Sequence, residues 1–553
     1  MEKRIPKKTG TYADPLCAIG YASLLEEMTG VPATVRDDGA EYVVSCEGGR
    51  PEEEWGPPSP GFMYIWRKSK EERPIAENVL DYEREMEISQ AAAKSKNSAA
   101  AKRRKKDALV EVLDVPMITP HADYAFAASI EKLRQTWMRD KSLFRWIVTH
   151  PEKALRTVKD ALNGKSVEIG VEWSNSQILN PSCGKGVSSS KTRAKQPADF
   201  EIENVFDEWM KLRGLGSSMV TYRVDEDFKF CVLEPGRLAL SSLARIRTEL
   251  RDMGLWGGGV RLDIEMTLRL VRLLLRHSEY EQGGVVFGKR RPRDIIRGVR
   301  VTYFKGFGKA SAIMNDSLYP LPSWFAVESK ADYDAYCAII NEPYGDKGEI
   351  TSGPLSGLKE DHSDDVSLLQ DYRRWLLSGD LADLLEFHSR FAAVLMPRKA
   401  GGKYFREFDS RILTILLTKG YGMVDNVSEI VTATGFLNIA RAIRNTTIYA
   451  VGMKNSNREP RFGLAQRFKQ RIKAGKSEFL QELSEFVQNQ NWEVQHKLKG
   501  AGFVVSTTDL DEVVKLVDAR DNGHQLVGML LLAYGFARAE STATTTAEEP
   551  AAN

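Results

Sequence analysis

The chain has 553 residues, a formal net charge of +2 and 42% hydrophobic residues. This length is too great for a single hydrophobic core and predicts about three or four domains. The near-neutral charge excludes nucleic-acid binding driven by overall basicity, so any such binding must come from local clusters of Lys and Arg.

The cysteines are expected to be free thiols in a reducing cytoplasm. No pair has CxxC spacing, and no His stands close enough to complete a zinc site. They are Cys17, Cys46, Cys183, Cys231 and Cys337. The opening MEKRIPKKTG has no apolar h-region after it, and the longest strongly apolar helix, Leu526 to Phe536, is too short to cross a bilayer. The sequence therefore predicts a cytoplasmic protein with no membrane role.

Residues 1–125 are predicted to form an N-terminal α/β region. A helix is expected over 15–29, followed by the hairpin ATVR-DDGA-EYVVSC, because its Asp-Gly pair supplies the positive φ that tight turns need. A strand is expected over 62–67. The Ala-, Lys- and Ser-rich stretch 89–108 is interpreted as a basic insertion, either an exposed helical arm or a disordered segment.

Residues 126–344 are predicted to form a central mixed α/β region that binds nucleic acid. The strict alternation of MVTYRV-DED-FKFCVL, residues 219–233, indicates a hairpin with one buried face. Helices are predicted over 129–148, 152–162, 200–213, 238–253 and 262–277, and a strand over 166–173.

Residues 345–370 are interpreted as a linker, residues 371–540 as a helical bundle and residues 541–553 as a disordered tail. From 398 to 476 the chain has 16 Lys and Arg against 5 Asp and Glu, whereas 477–553 has 5 against 12. Such a bundle can lay a basic side along a phosphate backbone, although two solvated faces of an ordinary bundle explain the same pattern. The predicted fold class is α+β, a mixed α/β body with small antiparallel sheets fused to an all-α C-terminal helical bundle.

The loop NPSCGKGVSSSKTRAK, residues 180–195, combines glycines, hydroxyl groups and cations, which are the groups that hold phosphates. It lacks the GxxxxGK[ST] spacing of a Walker A loop, so nucleotide hydrolysis is not expected. A flexible surface loop is the alternative interpretation. The candidate nucleic-acid-binding residues are Asn180, Lys185, Ser188, Lys191 and Arg193.

A second candidate group follows a predicted helix whose arginines repeat on one face. Its cations alternate with Tyr303, Phe304 and Phe307, and aromatic rings among cations are typical of single-strand binding because bases stack on the rings. A solvated helix face is the alternative for the helical part. The cations are Arg269, Arg272 and Arg276 on the helix, then Lys289, Arg290, Arg291, Arg293, Arg297, Arg300, Lys305 and Lys309.

The third candidate group lies on two predicted helices of the C-terminal bundle. Apolar spacing at Phe436, Ile439 and Ile443 supplies a buried side, so the cations are expected to be displayed on a rigid scaffold. They are Arg441, Arg444, Arg461, Arg467, Lys469, Arg471 and Lys473.

No catalytic or metal-binding constellation is predicted. The histidines are widely spread, with no HExxH pattern, and the acids nearest to a Gly-rich or His-containing segment are Asp263 and Asp361. The protein is therefore predicted not to be an enzyme and to need no cofactor or metal.

Three stretches resemble the large subunit of type I CRISPR Cascade complexes, of a type I-B-like or related variant. They are NPSCGKG at 180–186, FLNIARAIRNTTIYAVG followed by REPRFGLAQRFKQ at 436–470, and LLLAYGFAR at 530–538. The order of a mixed α/β body and a C-terminal helical bundle is also similar.

This resemblance implies a non-catalytic subunit of an antiviral surveillance complex. Its expected partners are a guide RNA held at the 5′ end, double-stranded target DNA with its displaced strand, and the backbone, guide-end and small subunits. It would read the motif beside the target, for which Asn180 and Lys185 are the candidates, help to open the duplex into an R-loop, and recruit a helicase-nuclease or transposition proteins.

Two other functions stay open at this point, a divergent nuclease and an adaptor of an RNA-guided transposition complex. The bundle is also similar to the small subunit, which several subtypes make by internal initiation within the large-subunit gene. That similarity predicts a second product of about 18 kDa that starts near Met396 or Met423.

Overall fold

The structure is a computed structural model. It describes residues 1–61, 64–66, 79–81, 133–134, 137–138, 140–150, 157–159, 166–168, 179, 181, 205–224, 227–253, 255, 259–277, 291–307, 310–322, 324–345, 353–402, 405–452, 459–500 and 502–539. Within these ranges the fold is α+β, as predicted.

The strands of the described residues all lie before residue 321. They are β1 Glu2–Pro6, β2 Ala33–Asp37, β3 Glu41–Cys46, β4 Tyr64–Trp66, β5 Val79–Asp81, β6 Thr157–Lys159, β7 Ser166–Glu168, β8 Met219–Val224, β9 Asp227–Pro235, β10 Arg237–Ala239, β11 Ile296–Phe307 and β12 Ala310–Pro320.

The helices become dominant after β12. They are α1 Ala13–Thr29, α2 Lys141–Thr149, α3 Val205–Ser218, α4 Leu240–Asp252, α5 Gly259–Arg276, α6 Pro292–Ile295, α7 Lys330–Asn341, α8 Ser363–Ser378, α9 Leu381–Ala400, α10 Ser410–Gly420, α11 Val427–Thr432, α12 Thr434–Thr446, α13 Ile448–Gly452, α14 Leu464–Ala474, α15 Lys476–His496, α16 Thr507–Asp518 and α17 Gly523–Gly535.

The chain divides into two compact units, each made of two segments. Unit 1 comprises Met1–Gly257 and Pro292–Leu321, and unit 2 comprises Gly258–Arg291 and Pro322–Asn553. Helices α5 and α7, which belong to the predicted central region, pack with α8 and α10 in unit 2. The observed division therefore differs from a boundary placed at residues 345–370.

Unit 1 contains two four-stranded antiparallel sheets. Their strand orders are β1-β3-β2-β10 and β12-β11-β9-β8, and two strand pairs, parallel β4–β5 and antiparallel β6–β7, lie apart from them. The core includes side chains of α1, α2 and α3 together with Val232 and Phe304 from the second sheet. Residues 229–235 of β9 are all buried, so this strand has no exposed face, and the single buried face predicted for the 219–233 hairpin is wrong.

Helices α1 and α3 approach each other closely because each presents a glycine to the other backbone. A Cβ added at Gly20 would lie 1.7 Å from the carbonyl oxygen of Met210, and one at Gly214 would lie 2.1 Å from that of Leu16. Any side chain at these two positions would force the helices apart. The sheets of unit 1 are thus covered by a helix pair of fixed spacing.

The two predicted hairpins are confirmed. Strands β2 and β3 pair across a turn in which Gly39 has φ +80°, the left-handed conformation that glycine adopts readily. Strands β8 and β9 pair antiparallel, from Met219 opposite Val232 to Val224 opposite Asp227. The helix predicted over 152–162 is wrong, because residues 157–159 pair as a strand with residues 166–168.

Unit 2 is helical throughout its described residues, with an aromatic centre. Trp324 stacks on Trp375 at a ring distance of 5.1 Å, and the indole N–H of Trp375 donates to Tyr421 Oη at 3.0 Å. Tyr372, Phe387 and Phe408 lie edge to face or stacked beside them. Burial of large rings in specific geometry gives this unit a well-defined core. No helix among the described residues is long and apolar enough to span a membrane.

Candidate nucleic-acid interface

Several predicted site residues lie outside the described residues. They are Asn180, Lys185, Ser188, Lys191 and Arg193 of the loop, and Lys289, Arg290 and Lys309 of the second group. For these the sequence predictions stay predictions.

Helix α14 is amphipathic and turns its cations outward. Leu464, Ala465, Phe468 and Ile472 recur at helical spacing and are buried, which fixes the orientation of the helix. The helix ends at Gly475, where the chain turns directly into α15. Arg467 and Arg471, one turn apart, and Lys473, on a different face of the helix, are exposed and are named here the α14 ridge.

One carboxylate of α15 positions two arginines of the α14 ridge. The Nε atom of Arg467 lies 3.8 Å from Oε1 of Glu482, and that of Arg471 lies 3.7 Å from Oε2. The Glu482 side chain is only 10% exposed, whereas the two arginine side chains are 57% and 53% exposed. Their remaining N–H groups therefore face solvent from neighbouring positions, which is the arrangement needed to contact successive phosphates.

The other basic residues of this hairpin are committed to contacts within the protein. Lys469 Nζ donates to Glu386 of α9 at 2.6 Å. Arg461 lies 3.4 Å from Glu493 and places its guanidinium 5.2 Å from the ring of Phe486. Both side chains are about four-fifths buried, so they are less accessible to a nucleic acid than the ridge is.

Arg441 and Arg444, three positions apart on α12, have different environments. Arg441 is exposed and lies 4.5 Å from the centre of the Phe503 ring, a cation–π contact that leaves one face of the guanidinium available. The prediction that Arg444 is displayed at the surface is wrong. It is buried, and it donates to the carbonyl oxygens of Ala537 at 2.6 Å and Tyr534 at 2.7 Å.

The predicted arginine stripe of α5 is only partly exposed. Arg276 is exposed, Arg269 is half-buried, and Arg272 donates from Nη1 to Tyr333 Oη of α7 at 2.9 Å. Arg272 thus contributes to the packing of α5 on α7. Helical spacing identified the face correctly, but it did not show that a second helix lies along it.

The described cations of the second predicted group, at residues 289–309, lie in two kinds of environment. Arg291, Arg293, Arg297 and Lys305 are exposed, and Arg297 lies 3.1 Å from Asp37. Arg300 donates from Nε to the buried Glu234 at 2.7 Å, so its charge is used inside unit 1.

Two aromatic residues of that group, Tyr303 and Phe304, have described side chains, and both make contacts within unit 1. Phe304 is 1% exposed and packs edge to face on Phe230, at a ring distance of 4.5 Å. Tyr303 is bonded through its hydroxyl to Asp227. The expectation that Phe304 stacks on bases is therefore wrong, because strand alternation turns it into the core.

Sequence reasoning missed two residues that contact cations of the candidate interface, Glu482 and Phe503. Glu482 lies on an acidic helix that appears purely architectural by its charge, yet it aligns two arginines. No local signal marks either role, because each depends on contacts between separate segments. Glu482 is 11 positions beyond Arg471, across the turn into α15.

No grouping suited to a metal ion is present in the described part of the chain. Asp263, one of the acids proposed for a nuclease, is 1% exposed and accepts a hydrogen bond from Arg373 Nη1 at 2.6 Å. Asp361, the other, has a side chain 70% exposed. The two acids have no common metal site with a third ligand.

Comparison of the sequence with models of protein families finds no match, and comparison with curated proteins finds none either.

Proposed function

We propose that this chain is the non-catalytic large subunit of a CRISPR guide-RNA surveillance complex of the Cascade kind. It would act in the cytoplasm with the guide RNA, the duplex target and the other subunits. In this proposal guide pairing reads the target sequence, while the protein holds nucleic-acid backbones and reads the motif beside the target. The observation that carries the proposal is the α14 ridge.

The ridge supports backbone binding because its charge is concentrated and held in place. Arg467 and Arg471 share Glu482, which reduces the freedom of both side chains while their outer N–H groups stay in solvent. Pre-positioned guanidinium groups bind phosphate with a smaller loss of entropy than free ones. Sequence-independent contacts of this kind are those that a surveillance subunit needs along DNA.

The segments that carry the family resemblance also contact one another. Arg444 of the 436–470 segment donates to the carbonyl groups of Tyr534 and Ala537 in the 530–538 segment. The rings of Phe436 and Tyr534 meet edge to face at 5.3 Å. Two of the three segments that carry the resemblance therefore pack against each other in unit 2. Both belong to one packed part of this unit, and this supports reading their resemblance together.

The ridge is tested by replacing Arg467, Arg471 and Lys473 together with Gln. We expect weaker binding to DNA of every sequence, and a plot of log K against log salt that is shallower by about 2 to 3, since each lost phosphate contact removes about 0.9. Fluorescence anisotropy of the full-length chain on a labelled duplex and a labelled single strand measures both. The matched control replaces three other exposed cations, Arg374, Lys497 and Lys515.

Equal losses in the ridge variant and the control would show that only total charge matters, and would remove the support that the ridge gives. Co-expression with the neighbouring genes tests the wider proposal. A purified complex that contains a short RNA of defined 5′ sequence supports it. A chain that never associates with RNA contradicts it.

The loop at 180–195 provides a separate test of motif reading. Asn180→Ala or Lys185→Ala should abolish target interference and leave assembly of the complex intact. Each lost base contact costs about 1 to 3 kcal/mol, which is about 5-fold to about 150-fold in recognition. Failure of assembly in these variants would make the loop a structural element.

A further inference from the structure

The turn between α10 and α11 carries the most exposed large apolar side chain of the described residues. Met423 is 96% exposed, and Val424 beside it is 44% exposed. A single exposed apolar residue is ordinary on a protein surface, whereas two at the tip of one turn form a small apolar surface. Residues 421–426 are named here the Met423 turn.

Contacts with the rest of unit 2 hold the Met423 turn in one conformation. Asp425 and Asn426 have φ of 47° and 52°, in the left-handed region that residues other than glycine rarely occupy. Arg520, whose side chain is 10% exposed, donates from Nε to the carbonyl oxygen of Asp425 at 2.8 Å and from Nη2 to Glu429 at 2.5 Å. A strained backbone persists only where its surroundings impose it, and a turn held in this way loses little conformational freedom on binding.

The surroundings of the Met423 turn are acidic. The two segments that meet there, 420–430 and 516–524, contain four Asp or Glu and one Lys or Arg. Two of these acids have cationic partners. The other two, Asp425 and Asp521, are exposed and have no ion pair within the described ranges. An apolar tip with unpaired carboxylates disfavours nucleic acid and favours a protein surface that carries cations.

A second small apolar surface of unit 2 lies on α12 and the segment before α16. Leu437 and Arg441 lie one turn apart on α12 and are both exposed. The guanidinium of Arg441 lies 4.5 Å from the centre of the Phe503 ring, and Val504, next in the chain, is 43% exposed. These four residues are named here the α12 patch.

The charge around the α12 patch is opposite to that around the Met423 turn. The segments that form the patch, 434–446 and 497–504, contain four Lys or Arg and no Asp or Glu. Three of these cations, Arg441, Lys497 and Lys499, are exposed. Two carboxylates of α16 reach α12, and both accept hydrogen bonds from it. The patch is therefore an apolar surface bordered by positive charge.

We propose that the Met423 turn of one molecule docks on the α12 patch of a second copy of this chain. The two apolar surfaces cover each other, and a methionine sulfur makes favourable contacts with an aromatic ring such as that of Phe503. The carboxylates of Asp425 and Asp521 then face the cations that border the patch. Because turn and patch are different surfaces, the contact is heterologous and leaves one free turn and one free patch. The inference does not rest on the proposed surveillance function.

The experiment is sedimentation velocity of the full-length chain, freed of nucleic acid, at about 1 to 100 μM in low salt. A contact this small should have a Kd of about 10 to 100 μM, so the mean sedimentation coefficient should rise with concentration. The rise should be smaller at about 0.5 M salt, because salt screens the charges. Met423→Asp and Arg441→Glu should each weaken the association about 10-fold or more. Both residues are exposed, so neither change disturbs the core.

A mixture of the two variants gives the sharpest test, because each variant retains the surface that the other lacks. The mixture should form 1:1 dimers and nothing larger, whereas each variant alone associates far less at the same concentration. The matched controls are Met138→Asp, at a residue 78% exposed in unit 1, and Arg374→Glu, at an exposed cation of unit 2. Both should associate as the original chain does, and a thermal melt of each variant checks folding.

A chain that stays monomeric at about 100 μM in low salt overturns the proposal. It is equally overturned when Met423→Asp and Arg441→Glu associate as the controls do, or when their mixture forms no dimer. The ridge variant should associate as the original chain does, so failure of this inference is distinguishable from failure on DNA.

Discussion

The sheets of unit 1 and the aromatic centre of unit 2 accommodate buried ionisable groups in opposite ways. In unit 1, Glu234 is 2% exposed and accepts hydrogen bonds from Tyr42 and from Arg300, with Lys7 3.8 Å away. In unit 2, burial shifts Glu342 and His388, which line one small cavity, towards their neutral forms.

Among these residues, the carboxylate that keeps its charge, Glu234, is the one that several donors and cations surround. Pairing restores part of the hydration energy that burial removes, and without it the group changes its protonation state. Unit 1 therefore depends on the presence of each partner, whereas this part of unit 2 depends on pH.

The largest loss of stability is expected when the buried Glu234 of unit 1 is replaced. Replacing it with Ala leaves Arg300 without the carboxylate and Tyr42 without its acceptor, so unfolding should become easier by about 3 to 5 kcal/mol. Urea denaturation followed by circular dichroism measures the change. Glu47→Ala, at an exposed position just after β3, is the control and should have little effect. Similar small losses in both would mean that pairing at Glu234 contributes little.

A second test concerns Arg444 in unit 2, a buried cation that is bonded to carbonyl groups instead of a carboxylate. Burial lowers the pKa of its guanidinium, but two short hydrogen bonds hold it. Arg444→Ala should destabilise unit 2 by about 2 to 4 kcal/mol, because two buried acceptors lose their donors. Arg441→Ala on the same helix should change stability much less. A comparable result for the two variants would contradict the distinction drawn between them.

The neutral state of Glu342 predicts a pH dependence that is absent from a paired acid. Its pKa is raised from 4.5 to about 8, so the folded chain binds one more proton than the unfolded chain between these values. The stabilising effect is full below pH 4.5 and falls by about 1.4 kcal/mol for each pH unit up to about 8. Glu342→Gln keeps the acceptor for Asp409 and should remove this slope in denaturation curves taken from about pH 6.5 to 8, above the range in which His388 contributes. An unchanged slope would exclude Glu342 as its source.

His388 should act in the opposite direction. Burial lowers its pKa from 6.5 to about 3, so here the unfolded chain binds the extra proton. Stability is full above pH 6.5 and falls as pH decreases towards 3, again by about 1.4 kcal/mol for each pH unit. Between 4.5 and 6.5 the effects of Glu342 and His388 cancel, which predicts a plateau. His388→Leu should lose the fall on the acid side, and the NMR titration of this imidazole measures its pKa directly.

Local patterns predicted the fold best where the deciding interaction is also local. The hairpin at 33–46 follows from Asp38-Gly39, and α12 follows from the spacing of Phe436, Ile439 and Ile443, all of which are buried. The segment 152–162 is rich in helix-forming residues, yet Thr157, Val158 and Lys159 within it pair with a strand seven or more positions away. Pairing between segments outweighed propensity there.

The candidate site was less predictable, because exposure of a cation depends on what packs against it. Arg441 and Arg444 have the same side chain and neighbouring positions on one helix, but only the second faces α17. Nothing near Arg444 in the sequence signals the carbonyl groups of Tyr534 and Ala537, some 90 residues later. Counting charges along the sequence identified a basic segment, but it did not show which of its cations are exposed to solvent.

The two residues predicted as internal translation starts, Met396 and Met423, have different environments in the structure. Met396 is fully buried within α9, whereas Met423 is 96% exposed between α10 and α11. Helix α9 packs on α17. A product that starts at Met396 would lack most of α9, and one that starts at Met423 would lack α9 and α10. Either product would expose apolar surface of α17 that the full chain covers.

The division of each unit into two chain segments has a consequence for synthesis on the ribosome. The chain passes between the units three times, and β11 and β12 of unit 1 are translated after α5 of unit 2. Unit 1 cannot complete its second sheet until residue 320 has emerged from the ribosome. Helix α5 is synthesised before α7 and α8, so its apolar side stays uncovered until both of these helices have been made. At about 5 to 20 residues per second, the wait from residue 276 to residue 378 lasts about 5 to 20 seconds. During that interval the apolar side of α5 is a surface to which a chaperone can bind.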